Sequence, residues 1–286
     1  MYYANGFCIT IVSHLQFLLT TNNIYFRSQI NTMSNGSIQS KIAEGIASIT
    51  FFHPQSNSMP GTLLRQLATE IENAGKNPEA KVIVLKSEGE KSFCAGASFD
   101  ELVSIDSLEK GTYFFSGFAA VINAMRKAPK FVIARVQGKA VGGGVGIACA
   151  ADYTFATDNA SVKLSELAVG IGPFVVGPAV ERKIGTAAFS MLSINATEWQ
   201  TAQWACEKGM YASLYPTIQE MDQALHALAQ RLAASNPDAM KDLKKVCWEG
   251  TENWDTLLAD RAAISGRLVL SEFTRNAIAK FKAGAR

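Results

Sequence analysis

Apolar residues along this chain fall into two spacings that exchange places. From Ile42 to Phe52 they are dense and β-branched, which predicts a strand ended by His53-Pro54, because proline donates nothing to a ladder. From Pro60 onward Leu63, Leu64, Leu67 and Ile71 recur at helical spacing, predicting a core-facing helix that stops at Gly75 and Asn77-Pro78. Val82 to Leu85 reads as a buried strand. Leu108 to Lys127 reads as a second helix, halted by Ala128-Pro129, and Phe131 to Val136 as another strongly β-forming run. After a glycine cluster, Ile147 to Ala151 predicts a short buried helix and Asp152 to Ala156 a further strand. Beyond Pro178 strand signals fade. Met221 to Ala234 and Ala239 to Trp248 are helix-forming and are separated by Asn236-Pro237. The order is that of an α/β protein with a mainly helical C-terminal part, without a short-period repeat or a low-complexity linker.

Composition narrows the class. At 286 residues, 48% hydrophobic and 18% charged, the chain suits one large soluble domain, or a core with an appendage. The net charge of +2 carries no Lys/Arg stripe, so nucleic acid is not an expected partner. The five cysteines (Cys8, Cys94, Cys149, Cys206 and Cys247) are odd in number and form no CxxC pair, which argues against a disulfide framework or structural zinc and fits a reducing cytoplasm. The apolar stretch from Phe7 to Thr20 is too short to span a bilayer, contains His14 and Gln16, and follows no basic residue, so no membrane partner is expected. Residues 1–36 read as an N-terminal extension of unknown role, either an appended arm or the product of a start codon upstream of Met33.

Two small-residue loops carry the candidate chemistry, Ser92-Phe93-Cys94-Ala95-Gly96-Ala97-Ser98 and Gly138 to Gly146, each following a predicted buried strand. Small residues past a strand's end let a ligand reach backbone N–H groups, and the second loop opens a helix, whose amino end favours developing negative charge. Two such donors can make an oxyanion hole. Turn formation and close helix packing would call for the same glycines. Neither loop fits G-x-G-x-x-G, and no G-x-x-x-x-G-K-[ST] occurs. Without a G-x-S-x-G elbow, and with His14 in the N-terminal extension, His53 before a proline and His226 in a helical run with no evident partner, a Ser-His-Asp hydrolase has little support. A carboxylate is left to move protons. Glu166, in the run from Lys163 to Pro173 where its neighbours are mostly apolar, is the candidate, since burial raises a carboxyl pKa toward useful values; an ordinary exposed or capping glutamate is the other reading.

Taken in order, Asn57-Ser58-Met59, Phe93-Cys94-Ala95-Gly96-Ala97, Val136-Gln137-Gly138 to Gly142-Gly143-Gly144, Asp152, and Glu166 before Gly170-Ile171-Gly172-Pro173 resemble the crotonase family, the enoyl-CoA hydratase/isomerase superfamily, from about Ser37 to the C-terminus. The resemblance implies a crotonase-like spiral of ββα units over residues 37–230 and a C-terminal helical trimerisation segment over 231–286, giving a homotrimer or homohexamer. It also implies an acyl-CoA substrate, an oxyanion hole from the N–H groups of Ala97 and Gly143, and Glu166 as acid/base. Substrate contacts would fall to Ala95, whose carbonyl would lie near the adenine, and to Gly96, Gly142, Gly146 and Gly170. No metal and no cofactor beyond substrate-borne coenzyme A are implied.

Two departures qualify this. Gly146 stands where many family hydratases carry a second glutamate that helps hold the added water, and Ser98 replaces a common aspartate. One carboxylate suffices to move a proton between C2 and C4 of an enoyl thioester, yet some single-glutamate relatives, including methylglutaconyl-CoA-type enzymes, are hydratases. Both reactions stay open, with a catalytically silent acyl-CoA-binding oligomeric scaffold as the alternative.

Overall fold

A computed structural model describes residues 35–282 and Gly284. The stretch from Phe7 to Thr20, with Cys8, His14 and Met33, lies outside the described residues. The first long strand signal resolves into two strands, β1 (Ser37–Ala43) and β2 (Ile46–Phe52), paired antiparallel. The break is at Glu44-Gly45, where both residues take positive φ (53° and 75°) and reverse the chain in two residues.

From β2 onward each long strand is followed by a short strand and then by helix. β2 leads to β3 (Ser58–Met59) and α1 (Gly61–Lys76), and β4 (Val82–Ser87) to β5 (Ser92–Cys94), β6 (Gly96–Ala97), α2 (Phe99–Ser104) and α3 (Leu108–Lys127). β7 (Val132–Val136) leads to β8 (Lys139–Val141) and α4 (Gly143–Ala150), and β9 (Tyr153–Thr157) to β10 (Ser161–Lys163), a 3-10 turn (Leu167–Val169) and α5 (Gly177–Ile194). The long strands build one sheet in the order β1-β2-β4-β7-β9-β12, parallel from β2 on, closed by β12 (Ser213–Tyr215). The short ones build a second sheet, β11-β10-β8-β5, with β11 at Gln200–Thr201, and a small parallel pair, β3-β6. This is the expected ββα spiral.

The main sheet is covered on both faces, which is why Val82 to Leu85 and Val132 to Val136 are unbroken apolar runs apart from Arg135. On one face lie α1, α3 and α4, through Leu63, Leu67, Ile71, Phe114, Ile122 and Ile147 among others. The opposite face packs Ile46, Val84, Ile133 and Phe155 against Met221, Leu225 and Ala229 of α7 (Ile218–Ala233). The expected division after residue 230 falls inside α7, whose packing makes it part of the sheet's core. Strand signals after Pro178 are absent from the sequence because β11 and β12 have only two and three residues. The remaining helices are α6 (Ala202–Glu207), α8 (Pro237–Cys247), α9 (Trp254–Leu268) and α10 (Glu272–Lys282). Among the described residues no helix is long and apolar enough to cross a membrane.

One buried knot ties the C-terminal helices to the sheet. Asp152 accepts hydrogen bonds from Val132 N (2.7 Å) and Trp248 Nε1 (2.7 Å), and its carboxylate is 2.9 Å from Nζ of Lys244. Lys244, on α8, also donates to the carbonyls of Met125 (2.8 Å) and Lys130 (2.7 Å). Every partner charge here is desolvated and paired, so removing one member strands the other. Asp152→Ala should therefore lower unfolding free energy by about 3–5 kcal/mol in denaturant titration. The double variant Asp152→Ala with Lys244→Met should cost less than the sum of the two singles.

Candidate active site

The two small-residue loops meet because glycines stand at the contact, Gly96 on one side and Gly144 on the other. A methyl group built on Gly96 (φ 85°) would lie 2.7 Å from the Val141 carbonyl oxygen and 3.3 Å from Gly143 N, and one on Gly144 would be 2.4 Å from the Cys94 oxygen. Pairing of β3 with β6, Ser58 to Gly96 and Met59 to Ala97, fixes the first loop from the other side. Gly142 (φ 51°, ψ −116°) turns the second loop from β8 into α4, whose eight residues are all buried. Gly143 is the first of them, so its N–H has no acceptor within the helix and lies at the positive end of the peptide dipoles. The ring of Phe118 from α3 rests directly on Gly143, where an added methyl would come within 2.1 Å of Cε1.

Glu166 enters this cleft from the segment after β10. Its carbonyl accepts from Val169 N (3.2 Å) and Ile171 N (3.0 Å), which hold the turn. The residue as a whole is half-buried, but Oε2 is sealed from solvent and has no hydrogen-bond partner. A methyl on Gly142 would stand 2.9 Å from Oε1, so the carboxyl lies against the backbone that opens α4. Burial pushes the Glu166 pKa up to about 7, opposed by a backbone hydrogen bond. Its proton is therefore exchangeable near neutrality.

The cleft is lined by Ala95, Gly96, Ala97, Gly142, Gly143 and Glu166, so the structure brings six of the eight expected site residues together. Among its lining residues Glu166 is the only ionisable side chain; Phe99, Phe118, Val169, Ile171, Phe174 and Val176 make most of the remainder apolar. Gly146 and Gly170 are not in the lining. Gly146 packs on Val176, where an added methyl would be 2.5 Å from Cβ. Gly170 (φ 82°) lets α10 sit down, since a methyl there would meet the Phe273 ring at 2.5 Å and Thr274 Oγ1 at 2.7 Å. At both positions the absence of a side chain is matched by a close-packed neighbour of the protein itself.

Other motif residues have structural tasks. Asn57 Oδ1 accepts from His53 N (3.0 Å), and its Nδ2 donates to the carbonyls of Glu88 (2.8 Å) and Ser92 (2.9 Å), pinning the turn before β3. Ser98 caps α2 by accepting from Glu101 N (3.4 Å), a task its small oxygen performs as an aspartate would. His53 is buried with Nδ1 3.0 Å from Ser58 Oγ, and burial lowers its pKa, against the raising influence of Asp100. No cluster of His, Cys, Asp and Glu that could hold a metal occurs among the described residues. Phe118 and Val176 end the two segments, Asp100 to Phe118 and Phe174 to Val176, that the family resemblance implies shape the acyl pocket, and they pack on Gly143 and Gly146 respectively. Helical spacing placed Phe118 in a helix, but nothing local in the letters marks which glycine it covers.

The enoyl-CoA hydratase/isomerase family model matches residues 41–277. The chain is 31% identical to the mitochondrial methylglutaconyl-CoA hydratase of Rattus norvegicus, over 68% of this chain and 63% of that protein. It is 27% identical to the short-chain-enoyl-CoA hydratase of Clostridium acetobutylicum, over 82% of this chain and 90% of that one. The crystal structure of enoyl-CoA hydratase from Bacillus halodurans superimposes with a TM-score of 0.78 at 19% identity, covering 85% of this chain and 98% of that one.

The raised pKa of Glu166 makes a sign-specific prediction. A carboxyl whose folded pKa exceeds its unfolded value stabilises the fold at low pH and loses that contribution as pH rises from about 4.5 through about 7. Glu166→Gln should therefore gain stability relative to the parent protein by on the order of 3 kcal/mol between pH 4 and pH 8. Denaturant midpoints across that range check it, and a pH-independent difference would rule out the shifted carboxyl.

Proposed function

Because the chain belongs to the enoyl-CoA hydratase/isomerase family, we propose that it is an enzyme that forms an acyl-coenzyme A enolate in this cleft and reprotonates it through Glu166. The observation that carries this reading is the solvent-sealed, unpartnered Oε2 of Glu166 in the same cleft as Ala97 and Gly143. A buried carboxyl oxygen without a partner is costly to keep unless something the cleft binds supplies one.

In the proposed mechanism the thioester oxygen accepts from the N–H groups of Ala97 and Gly143. These donors strengthen as negative charge gathers on that oxygen, a stabilisation of roughly 3 kcal/mol for each donor in sites of this kind. With a 3-enoyl thioester, Glu166 takes a C2 proton, the electron pair moves into the dienolate, and the same carboxyl returns a proton to C4. With a 2-enoyl thioester, Glu166 takes a proton from water as its oxygen bonds to C3, and the enolate is then protonated at C2. Both reactions share the enolate and need one group near pH 7 to carry the proton, which suits the pKa of about 7.

Val176 against Gly146 bears on the balance between them. A glutamate at 146 would collide with Val176, so no second carboxylate completes a water-holding pair here. Water addition would rest on Glu166 alone, whereas the C2-to-C4 shift loses nothing. The Ala95 carbonyl at the cleft's rim suits the adenine contact, and a homotrimer or homohexamer remains part of the reading.

The test is incubation with a 2-enoyl-CoA and, separately, a 3-enoyl-CoA, with products identified by mass spectrometry and chromatography. Gain of water from the first marks a hydratase, and an isobaric double-bond shift in the second marks an isomerase. Glu166→Gln should cut the observed rate by about 100- to 10,000-fold with acyl-CoA binding intact. Binding without turnover of either substrate would overturn the enzymatic reading in favour of a silent acyl-CoA binder.

A further inference from the structure

The inner end of the cleft is shut by two helices whose backbones touch. Helices α3 and α9 cross where Gly111 meets Gly266. A methyl built on Gly111 would lie 2.7 Å from the Gly266 oxygen, and one on Gly266 would lie 2.5 Å from Thr112 N. An acyl chain cannot thread between helices packed without side chains at their crossing. Beside that crossing, Ser265 of α9 and Phe115 of α3 are both buried and both line the cleft, and Leu102 of α2 adds a third buried wall. The Phe118 ring, fixed against Gly143, fills the side next to the oxyanion loop.

The whole cleft, from the Ala95–Ala97 loop and Glu166 to this wall, has a cavity volume of about 60 Å³, where ordinary ligand pockets start at roughly 300 Å³. With a thioester between the two glycine loops, little of that volume is left on the side of the wall, so a short acyl tail is the one that fits without displacing it. Lengthening the acyl group would force packed aromatic side chains off their rotamers, and overpacking of that kind weakens an interaction by about 5- to 150-fold.

We propose that the cleft is a short-chain acyl site which admits crotonyl-sized thioesters and rejects medium and long chains, with Phe115 and Leu102 as the residues that set the limit. The proposal rests on the acyl-CoA reading of the site. It differs from that reading in what it predicts, because it concerns how binding changes with chain length and not turnover.

The experiment is calorimetric titration of the full chain with butanoyl-CoA and dodecanoyl-CoA, saturated thioesters that bind without reacting. Dodecanoyl-CoA should bind about 100-fold more weakly, and Phe115→Ala should narrow the gap about tenfold or more by opening the inner wall. Leu102→Ala opens the same wall from α2 and serves as the second variant should Phe115→Ala fail to fold. Equal affinities for the two thioesters in the parent protein would overturn the proposal. An unchanged gap in the folded variants would overturn the assignment to Phe115 and Leu102. A chain-length gap without turnover of any enoyl-CoA would sustain the length limit while ending the enzymatic reading, and binding of neither thioester would end both.

Discussion

The site depends on two loops approaching until backbone touches backbone. The Cys94–Ala97 loop and the start of α4 sit so close that a single methyl on Gly96 or Gly144 would come within 2.7 Å of a carbonyl oxygen. That contact sets the spacing of the two N–H groups at Ala97 and Gly143, and it exists because consecutive ββα turns deliver a short strand end to the same place each time round. The long strands need both faces covered, the helices provide the cover, and the short strands left at the turns assemble the second sheet. The cleft lies where that second layer gives way to the amino end of a helix, where N–H groups point outward without partners inside the helix.

Glu166 shows how surroundings decide chemistry. The side chain is an ordinary carboxylate on a short turn, yet the backbone of Gly142 on one side and apolar residues on the others remove its solvent. Its charged form is penalised and its proton held near neutrality. At Gly146 the same packing logic works in the opposite direction. Val176 occupies the volume beside it, so the missing second carboxylate is a built feature of the core, with a neighbour shaped to it.

Much of this was legible in the letters, and the failures have definite causes. The helix from Leu108 to Lys127 and the runs at Val82 and Val132 announce themselves because each buries a long periodic face. The hairpin at Glu44-Gly45 was hidden because Ile42 and Ile46 flank the reversal and continue the β-forming composition across it. β3, β6 and β11 are two residues long, too short to have a period. Six of the candidate positions share one cleft, and three of them, Gly96, Gly142 and Gly143, were marked in the sequence because close approaches call for glycine. Gly146 and Gly170 leave the same mark for a different reason, close packing on Val176 and on α10. Sequence alone does not separate a glycine that faces a ligand from one that faces its own protein.

The buried knot around Asp152 has a consequence for how the chain comes into being. Asp152 and Trp248 are 96 residues apart, so a chain growing on the ribosome holds the carboxylate long before its partners have been made. Until Lys244 and Trp248 emerge, burying Asp152 would leave its carboxylate without two of its partners, which makes closure of that end of the sheet less favourable. The wall that closes the cleft, Ser265 and the Gly111–Gly266 crossing, is synthesised later still. The pocket is thus completed last, and a nascent chain stalled before α9 would own both glycine loops and Glu166 without a closed cleft around them.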